Sequence, residues 1–87
     1  MPMTIGQLEA YLIALLKGFV VDQNGVHVDS REYPNTIIYS ISLAQIDHDE
    51  DTVTNFTQKA LTHIMRKATQ QNIGKDGSVD PEIQVIS

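Results

Sequence analysis

Residues 36–44 read TIIYSISLA, and this stretch decides the fold. Large apolar side chains occupy every second position, at Ile37, Tyr39, Ile41 and Leu43. Successive side chains of a strand point to opposite faces, so a period of two predicts a strand. One face of this strand should be apolar and the other mostly hydroxyl-bearing, with Ile38, Ser40 and Ser42.

A second strand is predicted before it, from Val26 to about residue 32. Asn24-Gly25 precedes this strand as a turn signal, because both residues accept unusual backbone angles at low cost. The segment Tyr33-Pro34-Asn35 separates the two strands. A connection this short predicts an antiparallel hairpin.

The residues upstream predict a helix over 5–17. Thr4 and Gln7 have the spacing of a capping box, Lys17 suits the negative helix end, and Gly18 is a plausible stop. Apolar residues recur at helical spacing, namely Ile5, Leu8, Leu12, Leu15, Leu16 and Phe19.

Downstream, the capping residues of 47–52 precede a second, longer helix that should end near Gln71. Its predicted apolar stripe consists of Val53, Phe56, Ala60, Leu61, Ile64, Met65 and Ala68. Gly74 should follow the helix end. A loop is predicted over 74–81, followed by a last strand over 82–86 in which Ile83 and Val85 share a face.

The predicted order is helix, strand, strand, helix, strand, which defines an α+β fold in a single domain, 1–87. Both helices are one-sided, so the simplest arrangement covers one face of a three-stranded sheet with the two of them. One core should then contain Leu12, Leu16, Ile37, Tyr39, Ile41, Phe56, Leu61 and Ile64.

Composition excludes several classes of protein. The chain has 87 residues, a net charge of −5 and no cysteine. Disulfides and thiolate chemistry are therefore excluded, and the charge disfavours strong general binding to nucleic acid or to an anionic membrane. We find neither a transmembrane stretch nor a secretory signal, and expect a cytoplasmic protein that needs no cofactor.

The element order resembles the bacterial KH-type RNA-binding fold, including small single-KH proteins and the ribosome-binding factor A group. The similar parts are the segments LEAYLIALLKGF, VHVDSREYPNTIIYSISLA, QKALTHIMRKATQQ and EIQVI. The family's RNA clamp is a GxxG loop ahead of the long helix. Here residues 46–52 contain no glycine and four acids, so the resemblance implies the fold without the clamp.

The acidic run itself is a candidate for a weak cation site at Asp47, Asp49 and Asp51. Acids at alternate positions match the start of an EF-hand loop, but Thr52 and Gln58 stand where that loop has Gly and Glu. The alternative is helix capping, with acids at the positive end of the second helix. We favour capping and predict no metal site.

A basic stripe follows on the second helix at Lys59, His63, Arg66 and Lys67. It could contact an acidic protein or a nucleic-acid backbone, or be a solvated face whose cations complement the helix end. We count no aromatic residue in the stripe for base stacking, which disfavours RNA.

Catalysis has the weakest support in the sequence. The three histidines lie in different elements and do not form a zinc-binding spacing. Ser40 and Ser42 share a sheet face with which His27 could pair, but such a face is more often solvated or packed on a partner. Gly74-Lys75 lacks the spacing of a phosphate loop.

Three hypotheses of function follow, in order of preference. The first is a non-catalytic protein-interaction or adaptor module that self-associates, with the open sheet face and sheet edges as its homodimer surface. The second is a divergent KH-like protein that binds RNA or the ribosome weakly through the basic stripe. The third is a small enzyme or metal-binding protein.

Overall fold

The computed structural model describes residues 3–18, 20–72 and 80–86. Its helices and strands are α1 (Ile5–Lys17), β1 (His27–Glu32), β2 (Thr36–Ser42), α2 (Gln45–Asp49), α3 (Asn55–Asn72) and β3 (Asp80–Ile86). The predicted α+β order is confirmed, with the short α2 as an addition. Phe19 and residues 74–79 of the predicted loop lie outside the described residues. The prediction of a loop was wrong at Asp80 and Pro81, because their pairing with Thr36 and Ile37 of β2 places them in β3.

Helix α1 is stabilised at its start by the predicted capping box. The Gln7 N–H donates to Thr4 Oγ1 at 3.2 Å, and the Thr4 N–H donates to Gln7 Oε1 at 2.8 Å. Gly18 is the C-cap, as expected. Three residues spaced one turn apart, Leu8, Leu12 and Leu16, form its buried side.

Strand β2 lies in the centre of the three-stranded sheet that the described residues form. It pairs antiparallel with β1 and parallel with β3. Parallel neighbours need a crossover connection, and α3 lies within that connection. The side chains of residues that are paired across the sheet point to the same face, so those of Ser30, Tyr39 and Ile83 lie side by side.

Both helices cover this face, as predicted. Ser30 Oγ donates to Glu9 Oε2 of α1 at 2.8 Å, and Tyr39 Oη lies 3.0 Å from Thr69 Oγ1 of α3. The core between them contains Leu8, Leu12, Leu16, Val20, Val26, Ile37, Tyr39, Ile41, Leu43, Leu61, Met65 and Ile83.

The predicted apolar stripe of the second helix was wrong at three positions. Leu61, Met65 and Thr69 form the buried side of α3, whereas Phe56 is 83% exposed, Ile64 is 37% exposed and Ala60 is also exposed. Two helices share one face of a three-stranded sheet, so each helix can bury only a narrow strip of its side chains. Phe56, in the first turn of α3, lies outside that strip and is exposed to solvent.

Candidate functional site

Asp47, the first acid of the acidic run, is a buried structural residue. Its carboxylate accepts hydrogen bonds from the backbone N–H of Val21 at 2.7 Å, from that of Asp22 at 3.1 Å and from Thr52 Oγ1 at 2.8 Å. Burial disfavours the charged form, but the three hydrogen bonds outweigh it, and the pKa of Asp47 lies below its ordinary value. Asp47 thus joins α2 to the segment that precedes β1.

The other two candidate cation ligands point elsewhere. Asp49 is exposed and accepts from Gln45 Nε2 at 2.9 Å, while Asp51 is exposed in the turn after α2 with a positive φ of 49°. Among residues 3–18, 20–72 and 80–86, no three His, Cys, Asp or Glu side chains form a group that could hold a metal ion. The structure therefore does not bring Asp47, Asp49 and Asp51 together as ligands.

The basic stripe lies on the exposed side of α3. Lys59, His63, Arg66 and Lys67 are all exposed there. Arg66 Nε donates to Asp80 Oδ1 at 2.9 Å, an exposed ion pair that links α3 to the start of β3. A second link is the hydrogen bond from Gln58 Nε2 to the carbonyl of Ile83 at 2.7 Å. The sheet thus holds the helix that carries the stripe.

Phe56 is the residue of this surface that sequence reasoning missed. It is the most exposed large apolar side chain of the described residues. At about 100° per residue, Phe56 projects from the same side of α3 as Lys59 and His63. The basic stripe itself contains no Phe, Tyr or Trp, but the structure leaves Phe56 exposed beside it. On a helical wheel Phe56 lies opposite Leu61, Met65 and Thr69, but only the structure shows that those three residues are the buried side of α3.

We define the outer strip of α3 as an apolar row with its flanking basic residues. The apolar row is Phe56, Ala60 and Ile64, spaced four residues apart, and the basic residues are Lys59, His63 and Lys67. Beside the strip, a shallow groove runs between α1 and α3, lined by Tyr11, His63, Ile64, Lys67, Ala68 and Gln71. Tyr11 is 38% exposed and supplies the aromatic wall of this groove.

The open face of the sheet is a second exposed surface, and it is more polar. The register places His27 beside Ser42 and Asp29 beside Ser40, with the side chains of His27 and Asp29 in solvent. A concave patch on this face is lined by Asp29, Arg31, Tyr33, Ile38, Ser40, Gln84 and Ile86. Its use as a homodimer interface stays a prediction.

The comparisons with known proteins supply no functional residues for either of these two surfaces. The sequence matches no protein-family model, no curated protein and no solved structure at a significant level. Across the described ranges, no helix combines the length and the apolar character that crossing a membrane requires.

Proposed function

We propose that the chain is a small, non-catalytic protein-interaction module of the cytoplasm, and that the outer strip of α3 is its recognition surface. The exposure of Phe56 carries the proposal. Removing a Phe side chain from water contributes about 1.5–3 kcal/mol, and aromatic residues are enriched in the cores of protein interfaces. An 83% exposed Phe on a helix that packs against the sheet is well placed as the anchor of an interface.

The charges around Phe56 favour an acidic partner surface. Residues 59–72 carry three bases and no acid, although the chain as a whole has a net charge of −5. Cations that border an apolar anchor steer a partner of opposite charge and fix its orientation. The partner of the outer strip should therefore combine an apolar recess with carboxylates.

A second candidate function is weak binding of single-stranded RNA, and Phe56 is the observation that favours it. An exposed aromatic ring beside Lys59 supplies the base stacking and backbone charge that such binding uses. The KH-like element order supports the same candidate. RNA binding is disfavoured by three exposed acids that precede α3 in the chain, because they repel phosphate. These acids are Asp49, Glu50 and Asp51.

Site-specific photocrosslinking in the native host tests the proposal. A photoreactive phenylalanine analogue, p-benzoylphenylalanine, replaces Phe56, and a matched control carries it at Tyr33 in the β1–β2 turn. We expect a discrete protein product from position 56 that is lost when Lys59→Glu and Lys67→Glu are added. The same products from both positions, or none from position 56, would refute the proposal. A nuclease-sensitive product would select RNA instead.

A further inference from the structure

The chain carries both halves of a self-complementary contact: an exposed Phe56 and, two turns along the same helix, a groove at Ile64 and Tyr11. We infer that the partner of the outer strip is a second copy of this chain. The two α3 helices lie antiparallel across a two-fold axis at Ala60, and each Phe56 enters the groove of the other copy. This inference rests on the proposed function of the outer strip.

Helix geometry allows both insertions at once. Phe56 and Ile64 are eight residues apart, about 12 Å along the axis at about 1.5 Å per residue, and Ala60 is their midpoint. A two-fold axis at Ala60 therefore exchanges positions 56 and 64, as a symmetric interface requires. The small Ala60 side chain at the crossing point lets the two helices approach closely.

The groove suits an aromatic guest. Tyr11 and Ile64 are 38% and 37% exposed, so both keep apolar area that a ring from the other copy can cover. Aromatic pairs attract each other beyond the contribution of the area that they bury. Lys67 also lines the groove, and a lysine ammonium near the face of an aromatic ring is attracted to it.

The order of charges along the chain selects a second copy and the antiparallel direction. Asp49, Glu50 and Asp51 precede α3, and Lys59, Arg66 and Lys67 follow within it. The axis at Ala60 places position 67 of one copy opposite position 53 of the other, within reach of Glu50 and Asp51. A parallel pairing would instead place acids beside acids and bases beside bases.

The contact is small, so we expect a weak and reversible dimer. One helix face and one groove per copy bury less than the roughly 1,200 Å² that standard interfaces reach. The attraction between Lys67 and the acids of the other copy is exposed, so added salt should weaken it.

Sedimentation equilibrium of the full chain, from micromolar to several hundred micromolar, tests the inference. We expect a monomer–dimer equilibrium whose dissociation constant rises about tenfold or more in Phe56→Ser. Ile86→Ser is the matched control, because Ile86 is 50% exposed on the open sheet face. This change should leave the constant unaltered. A strict monomer throughout, or a dimer sensitive only to Ile86→Ser, would overturn the inference.

Charge reversal tests the antiparallel arrangement separately. Glu50→Lys and Lys67→Glu should each raise the dissociation constant several-fold, and the double variant should return it towards the wild-type value. If the dissociation constant of the double variant rises by the product of the two single-variant factors, the two charges do not interact and the arrangement is wrong. Photocrosslinking from position 56 to a different protein, combined with a strict monomer in sedimentation equilibrium, would overturn this inference. The proposed function of the outer strip would then still stand.

Discussion

The buried pair Tyr39 and Thr69 offers a sharp test of the packing of α3 on the sheet. Both side chains are fully buried, and their hydroxyl oxygens lie 3.0 Å apart. Tyr39→Phe and Thr69→Val each delete one hydroxyl with little change in shape. The two single variants and the double variant form a thermodynamic cycle that isolates the pair.

The structure predicts an asymmetric cycle. In Thr69→Val, Tyr39 Oη loses its partner inside the core, which should cost about 2–3 kcal/mol of unfolding free energy. In Tyr39→Phe, the Thr69 hydroxyl can turn to a carbonyl of the preceding helical turn, so the cost should be about 1 kcal/mol. The double variant removes both polar groups and should be more stable than Thr69→Val alone.

Urea denaturation followed by circular dichroism measures these free energies, provided that the slopes of the transitions agree. A coupling of about 1–2 kcal/mol is expected. Additive losses, or a loss below about 0.5 kcal/mol in Thr69→Val, would refute the buried pair, since they would mean that the Tyr39 hydroxyl reaches water.

Alkaline pH tests the same pair independently. Burial raises the pKa of Tyr39; the Thr69 hydrogen bond opposes that shift, and the nearby charges of Glu9 and Glu32 add to it. The unfolded chain therefore loses the Tyr39 proton first, near the ordinary pKa of about 10. The stability contributed by Tyr39 should be complete below that pH and should fall above it, and Tyr39→Phe should lack this decline.

Three further tests address other parts of the structure. Leu61→Ala should cost about 2–5 kcal/mol in urea denaturation and Phe56→Ala less than about 0.5 kcal/mol, and equal losses would contradict the placement of α3. Asp47 has a lowered pKa, so its contribution should be present above about pH 4 and lost below it. Urea midpoints measured against pH should lack this acid decline in Asp47→Asn, and an unchanged decline would refute the role of its carboxylate. A Cβ at position 25 would lie 2.5 Å from Ala44 Cβ, so Gly25→Ala should lower the melting temperature. Ala44→Gly should restore part of the loss, and an unchanged melting temperature in Gly25→Ala would rule out the close approach.

Local sequence determined α1 and the hairpin. The capping box at Thr4 and Gln7 involves residues three apart, and the alternation over 36–44 expresses the pleat of a strand. These signals depend on near neighbours in the chain, so they can be read before the partners are known. The basic stripe of Lys59, His63, Arg66 and Lys67 depends on the same kind of signal, because helical spacing places these residues on one side of α3.

Tertiary structure alone decided which side of α3 faces the sheet, what Asp47 binds, and whether Phe56 is covered. Phe56 and Leu61 are both apolar, and no local signal says that one is buried and the other exposed. The partners of Asp47 at Val21 and Asp22 are 26 and 25 residues away, and β3 joins β2 through a parallel crossover. The sheet face has a limited area that α1 and α3 share. Which side chains of α3 are buried therefore depends on the positions of α1 and the strands, which are distant in sequence.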